Sequence, residues 1–267
     1  MLFISFKTLL ENLPICVKSR FCLKKFNTVS NKMTWENVKQ KFLSMSIEEK
    51  RKNYKTSHIE LKDIPTWKDY YQINKNKLSK KIAPLPGNNI DNTKNEILLD
   101  KISVYRGDIT KLEIDAIANA ANKSLLGGGG VDGAIHRAAG KTLVEECRSL
   151  MGCETGEAKI TGGYALPAKY VIHTVGPRGE KPDLLRNCYL NCLKVLLENN
   201  LKSIAFPCIS TGIYGYPNLQ ASHVAAYTVR KFLEEHINNI DRIIFCIFLE
   251  EDKDLYEGIL QSYFPVQ

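Results

Sequence analysis

The stretch best suited to chemistry is LLGGGGVDGAIHRAAG, Leu125–Gly140, in which Gly127, Gly128, Gly129 and Gly130 are followed by Val131 and an acid, Asp132. Glycine loses more backbone freedom on folding than any other residue, so four in a row point to main chain that something approaches closely. A glycine-rich turn opening a helix presents unpaired N–H groups at the positive helix end, which suits phosphate. CISTGIYG, Cys208–Gly215, holds the residues for a second such turn. Two cradles on opposite sides suit a diphosphate better than a single phosphate. Asp132 beside the first cradle could take a proton from water. Its alternative role is that of a helix N-cap, which aspartate also favours.

Other polar residues extend this kit. RGDIT (Arg106–Thr110) offers Asp108 as an acceptor for an exocyclic adenine amine, and NAANKS offers Asn119 and Asn122 for sugar hydroxyls. Phe248, in FLEED, could stack on a ring. Together these residues make a binding kit for an adenosine-diphosphate sugar. Each has a plainer reading: Asp108 as a turn residue, Phe248 as core, and Tyr214 as surface rather than a lid over the diphosphate. His136 and His173 read as packed, hydrogen-bonded histidines and stay off the catalytic list. Cys208 reads as a core thiol, since nothing beside it in sequence lowers its pKa.

Several function classes are excluded by context. The G-K-T at Gly140–Thr142 has Ile135 where G-x-x-x-x-G-K-[ST] needs its first glycine, so the chain is not a P-loop nucleotidase. Gly128, Gly130 and Gly133 satisfy G-x-G-x-x-G, but after a second strand and a polar loop, which argues against a dehydrogenase. The eight cysteines contain no C-x-x-C, and the closest pair, Cys188 and Cys192, has helical spacing. They read as reduced thiols. With no ligand set expected near the acid, the site is expected to use neither metal nor cofactor.

The elements that must position these residues alternate. Apolar runs predict strands at Ile102–Tyr105, Ala116–Ala120, Lys159–Gly162, Tyr170–Thr174, Ser203–Cys208 and Arg242–Leu249. Amphipathic stretches predict helices at Gly133–Ala139, Leu143–Leu150, Leu184–Asn199, Asn218–His236 and Asp254–Tyr263. Continuous β-branched strands with helices between them predict a three-layer α/β/α domain on a mostly parallel mixed sheet. Ligands bind such sheets at the carboxyl ends of the strands, where the polar motifs fall.

The net charge of +8 is unevenly spread. Residues 1–99 carry 19 Lys/Arg against 9 Asp/Glu, and residues 100–267 carry 18 against 20, so the glycine-rich half has no broad basic surface for nucleic acid. Residues 1–33, rich in Lys, Arg and Phe with one acid, resemble a mitochondrial transit peptide; the alternative is a disordered basic tail on a cytoplasmic or nuclear protein. Residues 34–73 read as a helical extension, with Trp35, Val38, Phe42 and Met45 at helical spacing and a Ser46/Glu49 capping box. Residues 74–99, which include APLPGNN, read as a linker, and residues 100–267 as the main domain. No run is long enough to span a membrane.

The motifs GDIT, NAANKSLLGGGGVDGAIHRAAG, YVIHTVGP and CISTGIYGYP, in this order, resemble the macrodomain family, and within it the MacroD-type ADP-ribosyl hydrolases. The resemblance covers Asp100 to the C-terminus and reaches back through MSIEEKRKNY and IPTWKDY. It implies that Gly107, Asp108 and the Ile109 backbone hold adenine, and that Phe248 covers it. Asn119 and Asn122 would shape the distal-ribose pocket. Gly127–Asp132 and the turn Ser210, Thr211, Gly212, Ile213, Tyr214 would wrap the diphosphate. Asn122 and Asp132 match the pair on which the family's hydrolase activity depends. Departures are modest: Ala118 stands where a larger β-branched residue is expected, Ala134 and Tyr216 are conservative alternatives, and GPRGEKPDLL (Gly176–Leu185) is short, which puts contacts to a modified protein in doubt.

The implied activity is removal of single ADP-ribose units from Asp/Glu esters on proteins, with deacetylation of O-acetyl-ADP-ribose. GGGGVDG lacks the paired glutamates of the polymer-degrading relatives. The expected partners are ADP-ribose and ADP-ribosylated proteins, with ADP-ribosylated nucleic-acid ends left open, and the chain is read as a monomer. A non-catalytic ADP-ribose reader is the alternative, and a basic nucleic-acid binder is a third.

Overall fold

A computed structural model describes Met33–Val266, so the transit-peptide reading lies almost wholly outside the described residues. The spaced apolar residues of the extension form α1 (Trp35–Ser44), and the capping box opens α2 (Ile47–Arg51). Ser46 Oγ accepts from Glu49 N at 3.2 Å while Glu49 Oε2 accepts from Ser46 N at 3.1 Å. The short strand β1 (Ile59–Glu60) leads to α3 (Trp67–Asn74), where Thr66 caps the helix and the fully buried Trp67 donates its indole N–H to Phe264 O at 2.9 Å.

Residues 74–99 follow the domain surface closely rather than hanging as an aperiodic linker. Ile82 N donates to Gly258 O at 2.9 Å, Asn88 Nδ2 donates to Tyr263 Oη at 2.7 Å, and a short helix, α4 (Asn95–Leu99), buries Leu98 and Leu99. The physical cause is a buried guanidinium that needs acceptors. Arg230, paired with Glu234 on its own helix and with Tyr263 O, each at 2.8 Å, also donates to Asn95 Oδ1 at 2.8 Å and to Asp91 O, so the segment supplies the remaining acceptors of a buried charge.

The main sheet comprises β2 (Ile102–Arg106), β4 (Ala116–Ala121), β5 (Ala158–Gly162), β6 (Tyr170–Val175), β7 (Ser203–Phe206) and β8 (Arg242–Ile247) in the order β2-β8-β7-β4-β6-β5. Neighbours run parallel except for the antiparallel edge strand β5. The two-residue strand β3 (Leu112–Glu113) pairs with β1 outside this sheet. Period-two alternation divides the strand side chains between two cores. Ile172, Ile204, Phe206, Ile243 and Phe245 face α7 (Pro182–Glu198), α8 (Asn218–His236) and α9 (Glu250–Tyr263). Ile117, Val171, Val175, Ala205 and Ile244 face α5 (Gly130–Ala139) and α6 (Lys141–Ser149), on which α1 also packs. Helix layers thus cover both faces, giving the expected three-layer mixed fold preceded by a helical segment.

Element ends differ from the sequence reading for local reasons. β7 stops at Phe206 because Pro207 has no N–H for the ladder, and β8 stops at Ile247, leaving Phe248 outside the sheet and 73% exposed. α5 starts at Gly130, three residues earlier than expected, and α9 starts at Glu250 with Glu250, Glu251 and Asp252 in its first turn, where acids oppose the helix dipole. The adjacent strands β4 and β7 send their chains to helices on opposite faces, and such a divergence opens a crevice at the carboxyl edge.

Candidate active site

The crevice forms a cleft of about 350 Å³ lined by Asn122, Gly128–Asp132, Gly176, Arg178, Cys208, Ser210, Gly212, Ile213 and Tyr214, with Ala120 and Ala121 at its floor. One wall is the first turn of α5. Gly129 caps this helix without a side-chain hydrogen bond, and the first N–H groups of any helix have no intrahelical acceptor. Glycine is needed at Gly130, where φ is +57°, and at Gly133, where a Cβ would run into the carbonyl oxygen of Gly128.

Asn122 shapes the loop before this turn. Its Nδ2 donates to Gly127 O at 2.9 Å, while its Oδ1 accepts from Ser124 N at 3.0 Å and Ser124 Oγ at 2.6 Å. The facing wall is the turn after β7, where Ser210 has a left-handed φ of +68° and its buried Oγ has no partner among the described residues. Backbone strain of this kind clusters at functional sites. Thr211 lies outside the cleft lining and braces the turn, its Oγ1 donating to Cys208 O at 3.1 Å.

Asp132 is not the N-cap; it sits in the first turn of the helix, 4% exposed. Its Oδ1 accepts from Asn119 Nδ2 at 2.8 Å, and His136 Nε2, one helical turn on, lies 3.4 Å away. Burial raises its pKa, against the opposing pull of the Asn119 hydrogen bond and His136. Burial likewise lowers the His136 pKa, with Asp132 acting the other way.

Asn119 does not line the cleft. It is fully buried beneath Asp132, paired in register with His173 across β4 and β6, and its Nδ2 also donates to His173 Nδ1 at 3.1 Å. His173 Nε2 then donates to Thr161 Oγ1 at 2.9 Å, the donor and acceptor roles following from the amide that occupies Nδ1. Burial holds His173 neutral, its pKa brought down to about 3.

The sequence reading expected no ligand set near the acid, yet His136, Cys147 and His173 bring ligand atoms within 4.8 Å of one another below it. Two of these groups are spoken for chemically. His173 has both ring nitrogens in hydrogen bonds, and burial pushes the Cys147 thiol up to about 12, far from a thiolate. Cys208 packs against the core as expected and also borders the cleft, and burial raises its thiol pKa well above the ordinary range.

The remaining candidates gather at the ends of the neighbouring strands β2 and β8. Gly107 N donates to Ile247 O at 3.0 Å, joining the two strand ends, and a Cβ on Gly107 would strike the Tyr105 ring. Asp108 Oδ1 caps a single 3₁₀ turn by accepting from Thr110 N at 2.9 Å and Thr110 Oγ1 at 2.7 Å. Ile109 is buried, whereas Phe248 stands out in solvent rather than in the core. Gly176, Arg178 and Cys208 were not picked out from the sequence as cleft residues. Gly176 was within reach of the strand-end rule, since it directly follows β6. Its lack of a side chain is required, because a Cβ there would collide with Ser210 Oγ.

These features define an α/β domain whose strand-end crevice, with a helix N-terminus as one wall and the strained Ser210 turn as the other, has a buried acid at one edge. The Macro domain family matches residues 118–225. Over 246 residues the chain is 50% identical to the ADP-ribose glycohydrolase MACROD2 of Mus musculus, covering 88% of this chain and 50% of that protein. Over 245 residues it is 51% identical to the ADP-ribose glycohydrolase MACROD1 of Mus musculus, covering 89% of this chain and 73% of that protein. The chain therefore spans half the length of the first and nearly three quarters of the second. A Trypanosoma brucei macrodomain solved in complex with ADP-ribose superposes with a TM-score of 0.68 at 42% identity, over 82% of this chain and 84% of that one. The chain belongs to the macrodomain family.

Proposed function

We propose that this protein removes single ADP-ribose units esterified to Asp or Glu side chains of proteins, and that it deacetylates O-acetyl-ADP-ribose at the same site. The observation that carries this reading is Asp132. It is a buried acid with a raised pKa, on the edge of a cleft whose two walls offer main-chain donors to a diphosphate. The adenine lies between Asp108 and Phe248 at the β2 and β8 ends, and the diphosphate lies between Gly127–Val131 and Ser210–Tyr214. The distal ribose reaches Asn122 and Asp132.

The reaction replaces the bond from the anomeric carbon to the carboxylate oxygen with one to water oxygen. Asp132 orients the water and accepts its proton, and the side chain departs as a carboxylate while the ribose keeps the new hydroxyl. General-base assistance of this kind contributes typically about 10²–10⁴-fold. Asn119 acts through Asp132, as a positioning residue.

ADP-ribosylated proteins are the proposed partners. The compartment, mitochondrial or cytoplasmic and nuclear, depends on residues 1–33, and no helix among the described residues is long and apolar enough to cross a membrane. The deciding experiment is Asp132→Asn, with turnover of an ADP-ribosylated peptide and calorimetric ADP-ribose affinity measured on the same preparation. Turnover falls by about 10²–10⁴-fold while affinity is kept. Unchanged turnover beside retained binding would assign the protein as a reader instead.

A further inference from the structure

A second cavity of about 490 Å³ adjoins the cleft and shares Asn122, Gly176, Arg178 and Tyr214 with it. Its remaining lining includes Lys123 and Lys181, and no carboxylate lines it. Its size is within the range of specific ligand pockets. Lys123 is already paired with Glu154 at 2.5 Å, but among the described residues neither Arg178 nor Lys181 has a carboxylate within 4 Å. Their positions are held by the fold. The Arg178 guanidinium lies over the Tyr214 ring, 4.7 Å from its centroid, and Gly179 N donates to Tyr214 O at 2.8 Å, tying this loop to the second turn of the cleft. Lys181 is the N-cap residue of α7, its carbonyl accepting from Leu185 N at 3.1 Å.

Resting on the proposed function, in which the distal ribose sits at Asn122, we propose that this cavity is the subsite for the polypeptide around the modified side chain, and that it selects acidic flanking sequence. A polypeptide fits better than a nucleic acid. Tyr214 is the one aromatic residue in the lining and Arg178 already covers one of its faces, so the cavity lacks the succession of open rings on which a strand of bases stacks. Residues 100–267 carry more acids than bases, so the positive charge is local to the cavity rather than a track for a phosphate backbone.

The test uses the full chain and peptides that carry one ADP-ribosylated Glu in acidic, neutral or basic flanks, with free O-acetyl-ADP-ribose as the substrate that lacks a flank. Two solvent-screened charge pairs favour the acidic over the neutral flank by roughly two- to tenfold in kcat/KM, and salt diminishes the preference. Lys181→Glu, at an exposed position, removes or reverses the ranking and leaves turnover of the free ester unchanged. Equal turnover of all flanks by the native chain, or an unaltered ranking in Lys181→Glu, would overturn the inference while leaving the hydrolase reading in place. Absence of turnover on every substrate would overturn both. A stronger preference for an oligonucleotide with an ADP-ribosylated terminal phosphate, lost in Lys181→Glu, would give the cavity to nucleic acid and overturn the inference.

Discussion

Replacing Asn119 by leucine removes one hydrogen bond from the buried acid while keeping the side-chain volume. Asp132 Oδ1 has two polar neighbours, the Asn119 amide at 2.8 Å and His136 Nε2 at 3.4 Å, and burial already pushes its pKa upward. A hydrogen bond to a charged group contributes about 1.5–3 kcal/mol. Its loss destabilises the carboxylate relative to the acid, so the Asp132 pKa rises further. The acidic limb of kcat/KM for an ADP-ribosylated peptide moves up by the same amount, and activity returns at higher pH.

ADP-ribose affinity, measured by calorimetry, stays near that of the native chain because Asn119 does not line the cleft. Stability carries the same sign. A carboxyl whose folded pKa lies above its unfolded value binds its proton more tightly when folded. Stability is therefore lost as pH rises from the ordinary carboxylate range through the raised value, and the variant extends that loss to higher pH. His173 stays neutral over this range and touches Asn119 rather than Asp132, so it does not replace the missing donor, and His136 Nε2 at 3.4 Å is the polar neighbour that remains. An acidic limb that does not move, or an ADP-ribose affinity that falls as much as turnover, would refute the reasoning.

Three further outcomes are expected. Phe248→Ala leaves the urea midpoint nearly unchanged, since the side chain is exposed, but weakens ADP-ribose binding by about 1–3 kcal/mol through the lost stack; unchanged calorimetric affinity would remove Phe248 from the site. Gly176→Ala drives a Cβ into Ser210 Oγ and costs about 1–3 kcal/mol of stability, together with ADP-ribose affinity, because the second turn must shift. Arg230→Met strands Asn95 Oδ1, the Asp91 and Tyr263 carbonyls and Glu234, and lowers the denaturation free energy by about 3–5 kcal/mol; proteolysis should then open residues 74–99 first.

Legibility followed the range of the interactions. The Ser46/Glu49 cap and the glycine turns depend on contacts within a few residues, and short-range pattern carries them, whereas the strand expected to reach Cys208 ends at Phe206, before Pro207. Strand positions were readable because apolar runs and period-two parity are local too. The start of α5 was misplaced because Asp132 is a better cap than Gly129 by type alone. Yet its carboxylate faces inward to the Asn119 amide, a partner held on another element. Residues 74–99 looked structureless because their anchor, Arg230, comes more than 130 positions later.

By itself, then, the sequence determined where the strands and most helices run, and it marked the glycine-rich turns, the acid Asp132 and the amide Asn122 as the candidates for a site. Only the tertiary structure decided what those groups touch. Register between β4 and β6 sets Asn119 beside His173, the α5 layer lowers Asp132 onto that amide, and the loop after β6 carries Arg178 over Tyr214. The physical reason is that local pattern specifies φ, ψ and burial over a few residues. The environment that shifts a pKa or pairs two loops is assembled from segments tens of residues apart, by the summed packing of the two cores.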